Sequence, residues 1–451
     1  MKKPGSDLQF KDIQGLAIRG FGRLPYAGYL CFGIAEKPLF RRWLKGLLER
    51  GEIASGKVHN TELGDSNRGI AFTAAGLQTL MESAWLETSF PVEFTEGMVQ
   101  PQRSRLLGDI DWNAPKAWRW GVQDDIHGVL MCFAQQRAEV EQMLDDALQA
   151  SNGLREVTRI YAQLPEDGKE PFGFADGISQ PVIEGTYRDQ ALVSKRERQL
   201  HAIAAGEFIL GYPDGSGQLP RSPACSPAMP GSDRLAPHCL RPELRDFGRN
   251  GSFLVIRQLA QDVEAFKAYV EAHSREGLDV GEKMLGRTRE GDSLTRDTSA
   301  QGVNDFDYLE DRKGQGCPIG AHVRRSNPRS TVHDRSDEAA LKVSNRHRIL
   351  RRGRVYENAD GEVGLLFLCL NASISRQFEF IQASWSNDPF FQGLAGEVDP
   401  ISGTARGNAG VFTIPASPYR HKLQSVPQWV TLKGGAYFFL PGMQALCALA
   451  E

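Results

Sequence analysis

Four times along the chain, a short apolar run rich in strand formers leads directly into apolar residues spaced three and four apart. Gly28 to Ile34 precedes Phe40, Trp43, Leu44, Leu47 and Leu48, and Gly128 to Phe133 precedes Val140, Met143, Leu144, Ala147 and Leu148. Ser252 to Gln258 precedes Val263, Phe266 and Val270, and Val363 to Leu370 precedes Ile374, Phe378, Ile381 and Trp385. The first kind of run predicts a strand, the second one face of a helix. Glu156 to Ala162 and Trp429 to Leu440 are further strand-like runs that close each half. Two strand-then-helix units per half, each half ending in a strand, predict an α+β chain of two similar domains with antiparallel sheets. Their expected extents are 1–180 and 249–451, joined by 181–248. Inside that joint, 213–242 carries seven prolines and no sustained periodicity. It predicts a long ordered loop or linker, either a flexible connector or a wrapped loop that walls part of a pocket near the loop preceding it. Trp112, Trp118 and Trp120 read as core and rim packing.

Composition narrows the function without naming it. A chain of 451 residues with a net charge of −3 has ample core and no reason to favour nucleic acid or an anionic membrane as partner. The seven cysteines, Cys31, Cys132, Cys225, Cys239, Cys317, Cys369 and Cys447, form no CxxC pair and no CxxCH. Neither a zinc ribbon nor covalently attached haem is indicated. Unpaired cysteines favour a reducing compartment. Met1 to Asp7 has two lysines but no apolar run behind them, and no window of 18 apolar residues occurs. Neither a secretory leader nor a membrane span is expected, so the expected location is cytoplasmic. The last residues, Ala450 and Glu451, follow closely on the last strand-like run. No cargo-targeting tail is expected there.

The chemistry concentrates in three stretches. Gly316 to Arg329 holds one imidazole, His322, in a small-residue turn, followed within seven positions by Arg324, Arg325 and Arg329. Histidine is a common metal ligand, and arginine suits carboxylates. A metal-bearing cofactor with acid groups at its edge, such as haem with its propionates, would use both. Phe172 to Pro181 places Asp176 between small residues flanked by Phe172, Phe174 and Ile178, so a carboxylate there needs a partner or a task. Arg346 to Gly353 is a basic run containing His347, Arg351 and Arg352.

Together these stretches resemble the dye-decolourising peroxidases, whose marks are a Gly-x-x-Asp-Gly loop (here Gly173 to Gly177), one proximal His and a distal Arg. The likeness runs from Asp12-Ile13-Gln14-Gly15 to Gly434-Gly435-Ala436-Tyr437-Phe438-Phe439-Leu440-Pro441. It implies two tandem ferredoxin-like domains of the dimeric α/β-barrel type, with haem b bound non-covalently, one per chain, in the C-terminal half. It implies peroxide reduction at the expense of bulky phenols or dyes through a ferryl intermediate. Hydrogen peroxide and an aromatic reductant would be the partners, and a homo-oligomer is left open. By this resemblance His322 is the axial ligand, with His347 its strongest rival among the other eight histidines. Asp399 is the acceptor for its second N–H, with Asp388 the alternative. Asp176 is the acid/base and Arg351 the charge stabiliser, though Arg352 is next to it. A nearby arginine favours the ionised aspartate and partial burial opposes it, so no large net shift is expected. Leu365 and Phe367, two apart on a strand, would cap the open face. The spacings of Arg325 and Arg329 from His322 suit a helix face and make them the propionate partners. Tyr356, Trp385, Trp429 and Tyr437 are candidates for a redox-active aromatic near the surface. A haem carrier without peroxidase turnover is the alternative, but it would have no need of Asp176 and Arg351 together. A haem enzyme of another reaction type is a third reading.

Overall fold

In the computed structural model, the described residues are 8–57, 64–81, 85, 88–123, 125–295, 304–332, 336–405 and 410–451. His59 and His333 lie outside them. Eight antiparallel strands carry the fold: β1 (Tyr26–Ile34), β2 (Ser66–Phe72), β3 (Gly128–Ala134), β4 (Leu154–Gln163), β5 (Ser252–Gln261), β6 (Leu350–Arg351 and Arg354–Glu357), β7 (Val363–Asn371) and β8 (Val430–Leu440). The first half runs β4-β1-β3-β2 and the second β6-β7-β5-β8, the same order in each. This is the ferredoxin-like arrangement twice over. The two sheets then meet at both edges, Phe72 opposite Phe439 and Gln163 opposite Val355. One closed ring results, with no free edge to manage.

Both pieces of β6 pair with β7 in one register, Leu350 with Leu370 and Arg354 with Leu366. The interruption at Arg352 and Gly353 therefore breaks one strand without shifting it.

The side-chain period of two gives each strand two apolar faces. Leu30 and Phe32 pack against α1 (Lys37–Glu49) and α2 (Arg137–Gln149) through Phe40, Leu44, Val140 and Leu144. The alternate residues Tyr29 and Cys31 join Met131, Ile256, Leu366 and Leu368 on the opposite face, with Ile13, Leu16 and Phe21 against them. Helix α3 (Val263–His273) starts on Asp262, whose side chain accepts from the Ala265 amide at 3.0 Å. It buries Phe266 and Val270 against Phe172 and Phe174. The fourth expected helix is wider than an α-helix: Ser375–Glu379 and Ile381–Ser386 are π-helical, a form frequent at functional sites. Its apolar residues Ile374, Phe378, Ile381 and Trp385 are buried as their spacing predicts.

Residues 181–248 are mostly irregular, with one short α-helix, Lys195–His201, and are pinned by two short pairings, Val182–Ile183 with Ala202–Ile203 and Ala224–Cys225 with Arg245–Asp246. Phe208, Leu210, Cys225 and Phe247 are buried in it. Trp118 and Trp120 are buried and hydrogen bonded, to the Asn113 carbonyl and to Gln258 Oε1, both at 2.8 Å. Among the described residues no helix is long and apolar enough to cross a membrane, and the seven cysteines are unpaired.

Candidate active site

The turn before His322 is built by its neighbours' charges. Asp311 accepts from the amides of Gly316 at 3.1 Å and Cys317 at 2.7 Å. Arg324, fully buried over the Tyr308 ring, donates to the carbonyls of Asp311 at 2.9 Å and Cys317 at 2.8 Å. This presents His322 at the head of a five-residue helix, α4 (His322–Ser326). Its Nδ1 lies 2.8 Å from Oδ2 of the wholly buried Asp399. The other Asp399 oxygen accepts from the amides of Ile401 at 2.8 Å and Ser402 at 2.9 Å. Burial pushes the Asp399 carboxyl up, but the His322 charge and these bonds outweigh it and hold it below the usual range. Burial pushes His322 down, and Asp399 pulls it net above its ordinary value. An imidazole tied this way through Nδ1 is fixed in orientation and turns Nε2 away from its acceptor. Asp388 is elsewhere, accepting from the Phe390 amide at 2.9 Å.

Asp176 is delivered by a loop that only its glycines permit: Gly173 and Gly177 have φ of +92° and +78°. Glu170 stitches the loop, accepting from the amides of Phe172 and Phe174 at 3.1 Å and from Gln261 Nε2 at 2.9 Å. Nothing in the sequence signalled this role for Glu170 and Gln261. Phe172 stacks on Phe266, centroids 4.3 Å apart, and anchors the loop to α3. Asp176 Oδ1 then accepts from the Gly177 amide at 2.6 Å and from Arg351 Nη1 at 3.0 Å. Arg352 turns the other way, its Nε donating to the Leu16 carbonyl at 2.9 Å. Burial pushes the Asp176 carboxyl up, but the Arg351 charge, the Gly177 amide and the His322 charge together hold it below the usual carboxylate range. The direction is downward through these direct bonds, and nothing contradicts the expectation of no large net shift. His322 and Asp176 each respond to the other's charge and to that of Arg351, so the three lie in one site.

Leu365 and Phe367 lie on the face of β7 opposite the buried Leu366 and Leu368, and both are half-buried. His347, the rival ligand, is stacked on the Phe380 ring with centroids 3.8 Å apart, and its Nδ1 meets the Arg376 carbonyl.

The basic residues divide differently from their expected roles. Arg325 is fully buried and spends its donors on the carbonyls of Gly320, Trp385, Asp388 and Glu397. It is not free to hold a propionate. Arg329 is also buried, at a φ of +52°, over the Phe306 ring. It shares a region with Arg348 and Arg287, which sequence reasoning missed although Arg348 stood in the basic run. These three guanidiniums donate to carbonyls and to Asn304, and none forms an ion pair with a carboxylate within 4.0 Å among the described residues. Burial, with mutual repulsion, pushes Arg329 down to about 10 and Arg348 to about 9. Buried like charges with no carboxylate in direct contact among the described residues make an anion-attracting corner.

The aromatics proposed as surface relays are not at the surface: Tyr356, Trp385, Trp429 and Tyr437 are all buried. Their apolar surroundings in strands and helices drew them into the core.

Comparisons with known proteins find similar sequences and similar folds. A family model described as the C-terminal part of Dyp-type peroxidase matches residues 243–392. The multifunctional dye peroxidase DyP2 of Amycolatopsis sp. is 28% identical over 93% of this chain and 91% of its own. The dye-decolorizing peroxidase AauDyP1 of Auricularia auricula-judae is 26% identical over 98% of this chain and 87% of its own. Among solved structures, the Anabaena sp. DyP-type peroxidase superposes with a TM-score of 0.76 at 24% identity, over 100% of this chain and 98% of that one. A variant of the Auricularia enzyme gives 0.80 at 22% identity, over 99% and 100%. In the relatives' sequences, in the segment the family model matches and in the fold, the chain is similar to the dye-decolourising, DyP-type peroxidases.

Proposed function

We propose that this enzyme is a haem peroxidase that reduces hydrogen peroxide to water while oxidising bulky phenolic or dye substrates. The observation that carries the reading is the pairing of His322, anchored through Nδ1 on buried Asp399, with the Asp176–Arg351 pair in the same site.

The residues present fit the cofactor. Among the described residues no three metal-ligating side chains converge, so the lone His322 would suit a metal held mainly by its own cofactor. The unpaired Arg329, Arg348 and Arg287 suit its carboxylates, and the apolar Leu365 and Phe367 suit a flat ring face. Non-covalent haem b, one per chain, is the group this set would hold. When bound it supplies the redox change, accepting electrons from the reductant and passing them to peroxide.

The chain supplies the rest. Asp176, held ionised, takes the proton from the near oxygen of peroxide and returns it to the far oxygen, so that water leaves. Arg351 stabilises the charge that builds on the departing oxygen and keeps Asp176 ionised between turnovers. Asp399 holds the imidazole of His322 in one orientation. Leu365 and Phe367 restrict that face to small molecules, so a large reductant delivers electrons from outside it. A carrier needs only the His322 side, whereas the Asp176–Arg351 pair has work only if peroxide is cleaved.

The test is the absorption spectrum of the purified, haem-loaded protein before and after one equivalent of hydrogen peroxide. A peroxide-dependent Soret shift, reversed by a phenol or dye that becomes oxidised, is expected. An unchanged spectrum would leave the protein a haem carrier.

A further inference from the structure

We propose that Arg325 is a positioning residue for His322: it locks the His322 turn to the two segments that hold Asp399, and so sets the His322–Asp399 hydrogen bond. The inference rests on the reading of His322 as axial ligand.

Arg325 lies three residues after His322 in α4, and each of its donors meets a different stretch of chain. Nε donates to the Gly320 carbonyl at 3.3 Å, on the turn before His322. Nη1 donates to the carbonyls of Trp385 and, at 3.1 Å, Asp388, where the π-helical segment ends. Nη2 donates to the Glu397 carbonyl, two residues before Asp399. The Phe391 ring covers the guanidinium at 5.0 Å. The same helix end also holds Asp399, whose amide donates to the Ser386 carbonyl at 2.7 Å. Gln382 Nε2 donates to the Ser402 carbonyl at 2.9 Å, beside the amide that Asp399 Oδ1 accepts.

The physical reason is the unmet demand at a helix end. The last carbonyls of a helix have no partner within it and carry the negative end of its dipole. Here Trp385 gives its carbonyl to Arg325 and Ser386 gives its own to the Asp399 backbone. The guanidinium satisfies the helix end, and in doing so fixes how far the His322 turn stands from the Asp399 loop. Only a rigid planar fork spans three segments at once; a lysine ammonium reaches one or two. The acceptor's distance governs how strongly it polarises the imidazole, and hence the imidazole's basicity toward a metal.

The experiment compares the haem-loaded parent with Arg325→Lys, Asp399→Asn and the double variant, by resonance Raman of the iron–imidazole stretch in the reduced protein and by reduction potential. Arg325→Lys should lower the stretch and raise the potential, in the direction of Asp399→Asn but by less. In the Asp399→Asn background it should move neither, because the acceptor through which it acts has already lost its charge. Phe391→Leu, which loosens Arg325 without removing it, should give a smaller shift of the same sign and serves if Arg325→Lys does not fold. Parent values in both Arg325→Lys and Phe391→Leu, or an Arg325→Lys shift that persists in the Asp399→Asn background, would overturn the proposal. If Asp399→Asn itself moves neither reading, the assignment of His322 fails as well.

Discussion

Replacing Asp176 with Asn separates the chemical role of this carboxylate from any structural one. The amide oxygen can still accept from Arg351, now 3.0 Å from the carboxylate, and the loop remains held by Glu170 and its glycines. The Asp176 side chain is 46% exposed and that of Arg351 30%, so solvent screens the pair and its loss costs at most about 1 kcal/mol of stability. Loss of a positioned base, by contrast, costs about 10²–10⁴-fold in the proton-transfer step. Stopped-flow mixing with hydrogen peroxide, followed at the Soret band from pH 3 to 8, measures that step apart from reductant turnover. The folded carboxyl lies below its ordinary 3.8 because Arg351 and the Gly177 amide outweigh burial, so the base is ionised above that pH and is lost only as pH falls through it. The parent rate should therefore be flat from neutral down to about pH 4 and fall only below, since a free histidine would already be protonated near 6.5. Replacing Arg351 with Leu removes the largest lowering influence and should move the acid limb upward. A rate for Asp176→Asn within a few-fold of the parent would refute the role. So would an inflection between pH 6 and 7 that survives the substitution, which would make a histidine the base.

The other predictions concern binding and stability. His322→Ala should fold but retain little haem, read as the Soret-to-protein absorbance ratio after purification; full occupancy with an unchanged spectrum would move the ligand to His347. Arg329→Gln and Arg348→Gln should each weaken haem binding by about 10–100-fold, the worth of one charge-assisted bond. Both should leave the haem-free protein as stable or more so, because each removes a buried cation with no carboxylate within 4.0 Å among the described residues. Asp109→Ala should destabilise by about 3–5 kcal/mol, because the nearly fully buried Arg257 loses its ion-pair partner; thermal unfolding of the haem-free protein would show it.

Much of this protein is written locally. Strands and helix faces follow from side-chain period, a short-range property, and so β1, α1, β3 and α2 fall where the pattern of Gly28 to Leu48 and Gly128 to Leu148 puts them. Gly173 and Gly177 take backbone angles that other residues avoid, so the Asp176 loop is legible in the same way. The π-helical turns at 375–386 were not, because apolar spacings of three and four fit an α-helix equally well. What the tertiary structure alone decided is which long-range partner each polar group finds. Asp399 rather than Asp388 meets an imidazole 77 residues away, and Arg351 rather than Arg352 reaches a carboxylate 175 residues away. Arg325, which its spacing made a propionate partner, is taken by carbonyls at a helix end, while Arg348 and Arg287 join Arg329 in the unpaired corner. Closure of the ring at Phe72–Phe439 and Gln163–Val355 has no local signature either. Hydrophobic period specifies which face of an element is buried but not against what, and a buried charge or donor settles its partner only when the chain has brought the segments together.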